Sequence, residues 1–123
     1  MEFVYTNINP FGAETDDCVS RAISLASGYD YFDIQEKLYL VSRLFECDRL
    51  DVCCYQNLLE NVFGYEPVYC HGMTIEEFAD EHPFGVFLIR IPNHLTVIID
   101  DKQLDTFYSG NELCDKAWYV PNV

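Results

Sequence analysis

The chain has 123 residues, with 21 Asp and Glu against 7 Lys and Arg, a formal net charge of −14. That length makes a single domain with one real core. The charge excludes sequence-independent binding to nucleic acid or to an anionic membrane, since both need a positive face. A content of 50% hydrophobic and 15% aromatic residues excludes a disordered chain despite the acidity.

Met1-Glu2-Phe3-Val4-Tyr5 has neither a basic segment nor an apolar run, so no signal peptide is expected there. The longest apolar stretch, Phe84 to Ile91, is interrupted by Arg90 and falls far short of a membrane span. A soluble, cytoplasmic protein is the expectation. Residues 6–16 are turn-rich. A helix fits Asp17 to Ser27, with Val19, Ala22, Ile23 and Ala26 on one stripe, Asp16 or Asp17 as cap and Gly28 as stop. A second amphipathic helix fits Asp33 to Phe45, and a third fits Val52 to Phe63, closed by Gly64.

Glu66 to Cys70 reads as a short strand. Thr74 and Glu77 form a capping box that opens an acidic helix ending at Glu81. The pattern then changes to strands at Gly85–Ile91, Leu95–Ile99, Leu104–Tyr108 and Ala117–Val120. A mainly helical part (1–82) followed by an antiparallel sheet (83–123) is an α+β order, with N-terminal helices packed on a small antiparallel sheet.

Six cysteines stand at 18, 47, 53, 54, 70 and 114. In a reducing compartment they read as buried small hydrophobes, one reactive thiol or a metal site. Cys18 differs from the rest because it lies in the first turn of a helix, where N–H groups and the dipole favour a thiolate. A thiol nucleophile needs a base in hydrogen-bond reach, and the base needs an orienter. His94, opening a strand, is the candidate base.

The sequence Asn9-Pro10-x-Gly12, then Asp17-Cys18-Val19-x-Arg21-Ala22-Ile23, then Glu81-His82-Pro83-x-Gly85, then His94 ahead of Leu104-Asp105-Thr106-Phe107 and Ser109-Gly110, resembles a group of small phage and prophage proteins. These are similar to minimal papain-like cysteine peptidases. The resemblance implies a papain-like layout and, for a phage-encoded protein, residence in the host cytoplasm. In such a hydrolase Cys18 would be the nucleophile and His94 the base. Asp105 or Ser109 would be the orienter, and Asn9 or a nearby backbone N–H the oxyanion donor.

Two features of the sequence argue against working chemistry. Glu14, Asp16 and Asp17 crowd Cys18, and negative neighbours raise a thiol pKa. If Asp101-Lys102 is a two-residue turn, Asp100 pairs with Gln103 and His94 with Ser109. Asp105 then faces Ile98, four rungs or roughly 14 Å from His94. On that register the third member is absent, or is Ser109, or the turn is longer.

Cys47, Cys53, Cys70 and His71 are the least strained set for a structural zinc, although their spacing is irregular and no cofactor is required by the rest of the sequence. The acidic surface suggests another role. Glu76, Glu77, Asp80 and Glu81 crowd one short helix, and Glu46, Asp48 and Asp51 form a second cluster. A net charge of this size exceeds what solubility needs and suits a partner with a basic groove. With the phage resemblance, the leading expectation is an acidic anti-defence inhibitor of a basic host nuclease, of anti-CRISPR type. The alternative is a small papain-like peptidase, amidase or isopeptidase.

Overall fold

The computed structural model describes residues 1–12, 17–49 and 51–121. Its elements are β1 (Glu2–Tyr5), α1 (Cys18–Ser27), α2 (Tyr31–Leu44), α3 (Val52–Asn57), a π-helical turn (Leu58–Val62), β2 (Glu66–Val68), α4 (Ile75–Glu81), β3 (Val86–Ile91), β4 (His94–Ile99), β5 (Lys102–Asp105) and β6 (Lys116–Val120). The strands form one sheet in the order β1-β5-β4-β3-β6-β2. The fold is α+β.

The alternation of side chains along each strand divides the core into two layers. On one face Leu88, Leu95, Val97, Trp118 and Val120 meet Ala22 and Ile23 of α1, Ile34, Leu38 and Val41 of α2, and Tyr55, Leu58 and Leu59 of the third helical segment. On the other face Phe87, Ile89, Ile91, Ile98 and Ala117 meet Ile75, Phe78 and Ala79 of α4. Burial on both faces explains why Val86 to Ile91 is an almost unbroken apolar run.

The helix boundaries follow their caps. Gly28 ends α1 in the left-handed region at φ 81°, its N–H donating to the Ser24 carbonyl. Asp30, which the apolar stripe alone does not single out, starts α2 two residues earlier than expected by accepting from the Phe32 N–H. Thr74 and Glu77 form the expected capping box. The π-helical turn carries Glu60, whose carboxylate accepts from the Trp118 indole N–H at 2.9 Å and pairs with Lys116.

The sheet departs from the expected antiparallel one. β1 pairs with β5 in parallel, Val4 against Leu104 and Tyr5 against Asp105, so the sheet is mixed. The segment Phe3-Val4-Tyr5 is short and β-prone, and it takes the open edge that β5 offers. The helical first part therefore also contains two strands of the sheet.

The β4–β5 turn also differs from expectation. Its two central residues are Asp100 and Asp101, at φ 48° and 64°. Positive φ at both positions is what a two-residue type I′ hairpin requires, and Asp tolerates that region better than Lys. Ile99 thus pairs with Lys102, Ile98 with Gln103 and Val97 with Leu104. Continued by one rung, this register sets Asp105 opposite Thr96, not Ile98.

Candidate active site

Cys18 is the first residue of α1, held over the start of β4 by the packing of Ala22 and Ile23 on Leu95 and Val97. His94 is the first residue of β4, directly after the Pro92–Asn93 turn, where Asn93 takes φ 59°. Helix start and strand start meet at one end of the sheet. The His94 ring and the Leu95 N–H both act on the Cys18 thiol, and Cys18 and His94 line the same two clefts.

His94 Nε2 lies 2.6 Å from Asp105 Oδ2, which leaves Nδ1 for the sulfur. The pair is enclosed: the His94 side chain is 9% exposed and that of Asp105 5%. The corrected register accounts for the contact. His94 and Asp105 are diagonal neighbours on one sheet face, a separation that long side chains span. Asp105 Oδ1 accepts the Thr106 N–H at 2.7 Å, and the β4–β5 register sets Thr96 opposite the carboxylate. Phe107 packs against the imidazole, with ring centroids 4.6 Å apart.

Each group is electrostatically prepared. Burial raises the Cys18 thiol. It is outweighed by the hydrogen bond with His94, the Leu95 N–H, the charge of His94 and Arg21, which together hold the thiol below its ordinary value. Burial likewise disfavours a charged His94, but the hydrogen bonds and charges of Asp105 and Cys18 lift it to about 9. Burial also pushes Asp105 up. The hydrogen bonds of His94 and Thr96, the His94 charge and the Thr106 N–H hold it below the carboxylate range. A thiolate beside an imidazolium is the favoured state of such a pair.

The crowding of Cys18 by acids is relieved where it can be seen. Asp17 is buried in an ion pair with Arg21, and it also accepts from the Asn9 amide at 2.6 Å and the Tyr31 hydroxyl at 3.1 Å. Burial, then the hydrogen bond to Asp17, pushes the Tyr31 hydroxyl up to about 12. Glu14 and Asp16 lie outside the described residues.

Asp17 stands at the N-cap of α1 yet makes no side-chain cap bond. The amides at the start of α1 are therefore not spent on a side-chain cap, and Cys18, Val19 and Ser20 line the cleft, where a developing oxyanion can use them. Asn9 is not the oxyanion donor expected from the sequence, because its Nδ2 is spent on Asp17 and Tyr31. Ser109 is not the orienter either. It is buried against Gln103, accepting from Nε2 at 2.7 Å and donating its N–H to Oε1 at 3.2 Å.

Two clefts meet at Cys18 and His94, both lined also by Val19 and Asn93. One, of about 310 Å³, is walled by Gln35, Leu38, Arg49 and Phe107. The other, of about 580 Å³, is walled by Tyr55, Arg90, Asp51 and Asp115. An extended substrate could cross the nucleophile with a part in each.

The expected zinc set does not assemble. Cys47 packs against the helical-face core with Cys53 and Cys54 as thiol neighbours. Cys70 lies in the opposite core beside Cys114, and His71 is exposed beside Tyr69. The sheet separates the two groups. Among the described residues, no group of three or more His, Cys, Asp and Glu side chains could hold a metal ion. All six cysteines are free thiols. Burial pushes Cys54 and Cys114 up to about 12, aided by neighbouring thiols, and it raises Cys70.

The acidic residues divide as well. Glu77, Asp80 and Glu81 are exposed on α4, whereas Glu76 turns inward to the Tyr108 hydroxyl. Gly110 leaves room for that contact, since a Cβ there would lie 2.3 Å from the Tyr108 oxygen. Glu46, Asp48 and Asp51 are exposed at the junction of α2 and α3, on the other side of the sheet. Among the described residues, no helix is long and apolar enough to cross a membrane.

The residues that sequence reasoning missed are those that hold the site: Thr96, Gln103, Phe107, Tyr31 and Gln35. Only Phe107 carried a signal, as the aromatic after Asp105-Thr106. Comparison with protein-family models, with curated proteins and with solved structures finds no match.

Proposed function

We propose that this chain is a small cysteine hydrolase of papain-like layout, cleaving an amide or isopeptide bond. The observation that carries the reading is that His94, anchored on Asp105 at 2.6 Å, lines the meeting of two clefts together with Cys18 and acts on its thiol. The Cys18 thiolate attacks the carbonyl carbon, and the oxyanion rests on the first-turn amides of α1. The His94 imidazolium gives its proton to the leaving nitrogen as the C–N bond breaks. The resulting thioester is hydrolysed by water that His94 deprotonates, and Cys18 departs as thiolate. Asp105 stays ionised and fixes the ring.

The test is capture of a covalent adduct, a thioether from a vinyl sulfone or a thioester from an activated acyl group. A peptidyl vinyl sulfone or acyl-activated peptide should add one mass increment to Cys18, and Cys18→Ala and His94→Ala should abolish it. Addition that is indifferent to His94 would contradict the reading.

The exposed carboxylates of α4 and of the α2–α3 junction support a second, compatible reading, binding to a basic host protein such as a nuclease of a phage-defence system. Because the two clusters lie on opposite sides of the sheet, one basic groove would engage one of them. Co-elution at low salt that survives charge reversal of Glu77, Asp80 and Glu81, and separately of Glu46, Asp48 and Asp51, would remove that reading.

A further inference from the structure

Behind the catalytic carboxylate lies a polar network in the sheet interior. Gln103 is 0% exposed and Thr96 1%. Gln103 Nε2 reaches Thr96 Oγ1 at 3.1 Å and Ser109 Oγ at 2.7 Å, and Gln103 Oε1 faces the Ser109 N–H at 3.2 Å. The orientation of the amide is dictated by chemistry. A backbone N–H can only donate, so the atom facing it must be the oxygen, and the NH₂ must face Thr96. Thr96 Oγ1 therefore accepts from Gln103, and its single proton is left to donate to Asp105, which the β4–β5 register sets opposite it and which as a carboxylate can only accept.

We infer that Thr96 and Gln103 are positioning residues of the catalytic series. They form a one-way hydrogen-bond chain, running from the Ser109 N–H through Gln103 and Thr96, that ends on Asp105 and holds it ionised and aimed at His94. Resting on the hydrolase reading, the inference adds what fixes the third member. Strand register alone leaves the carboxylate free to rotate about its side-chain torsions. His94 lies on Oδ2 and the Thr106 N–H on Oδ1, and a hydroxyl donated by Thr96 from across the strand pair removes the freedom that remains. The chain also explains why a fully buried glutamine is present opposite Ile98, next to the apolar core of that face.

The test is the carboxyl titration of Asp105, followed by ¹³C NMR, with Cys18 alkylation by iodoacetamide as a second readout. Thr96→Val keeps shape and loses the hydroxyl. It should raise the Asp105 midpoint by about one pH unit, the worth of one hydrogen bond to a charged group, and slow Cys18 alkylation near neutral pH. Thr96→Ser should restore both. A folded Thr96→Val protein with both readouts unchanged would overturn the inference. Should Thr96→Val not fold, the unsubstituted protein decides: its Thr96 hydroxyl proton should be protected from exchange, and exchange at the rate of a free hydroxyl would overturn the inference. The hydrolase reading fails separately, if Cys18 of the unsubstituted protein alkylates like an ordinary thiol whatever Asp105 does.

Discussion

His94 Nε2 and Asp105 Oδ2 are 2.6 Å apart although eleven positions separate the residues in the chain, and a two-residue turn decides it. With Asp100 and Asp101 as turn centres, Asp105 is the diagonal neighbour of His94. Moving the turn one residue on would carry Asp105 two rungs away and leave the imidazole without an anchor.

The turn is therefore a point of leverage. At the φ of 64° of Asp101, Asp101→Ala should be less stable than Asp101→Gly by roughly 1–2 kcal/mol, read from urea midpoints. Inserting one residue between Asp100 and Asp101 should abolish fast Cys18 alkylation while leaving the helical circular dichroism intact.

Asp105→Asn removes the carboxylate whose hydrogen bond, and then whose charge, favours the imidazolium against the effect of burial. The His94 midpoint should fall from about 9 toward its ordinary value, and amide turnover should drop by about 10²-fold or more. Turnover within a few-fold of the unsubstituted protein would mean that the carboxylate is not part of the chemistry.

Asp17 and Arg21 form a buried pair in which neither partner is dispensable singly. Arg21→Met leaves the Asp17 charge unpaired and should cost about 3–5 kcal/mol. It should also raise the Cys18 pKa by exposing the thiol to that charge. Adding Asp17→Asn should return most of the stability, and a double-variant cycle in chemical denaturation measures the coupling.

Stability should depend on pH through His94. Its folded pKa of about 9 lies above the ordinary 6.5, so the folded state binds its proton more tightly. That contribution is fully present below 6.5 and is lost as pH rises through about 9. Asp105, depressed on folding, acts oppositely, losing its contribution as pH falls through its folded value. The stability advantage over His94→Gln should thus shrink across the alkaline window in thermal melts. An advantage constant through that window would show that His94 titrates normally.

Much of this architecture was legible in the sequence. Helix positions followed from the apolar stripe of Val19–Ala26, from the amphipathic pattern of residues 33–45 and from the Thr74–Glu77 cap, because helices are local. The candidacy of Cys18 and His94 followed from their places at a helix start and a strand start. The pairing of His94 with Asp105 did not, because it depends on which of three consecutive polar residues centres a turn. Choosing Asp101-Lys102 over Asp100-Asp101 moved the partner by two rungs. β1 escaped because an edge strand of four residues owes its existence to β5, its long-range partner. The separation of the cysteines by the sheet, and the inward turn of Glu76 to Tyr108, are likewise tertiary facts without a local signal.

The central claim is that Cys18 is a nucleophile activated by His94. Its most direct test is the alkylation rate of Cys18 by iodoacetamide from about pH 5 to about pH 10, with the exposed Cys53 replaced by serine, for the protein with His94 and with His94→Ala. The account predicts fast alkylation well below the ordinary thiol pKa, lost in the variant, which should alkylate only as an ordinary buried thiol deprotonates. Superimposable profiles with and without the imidazole would contradict it.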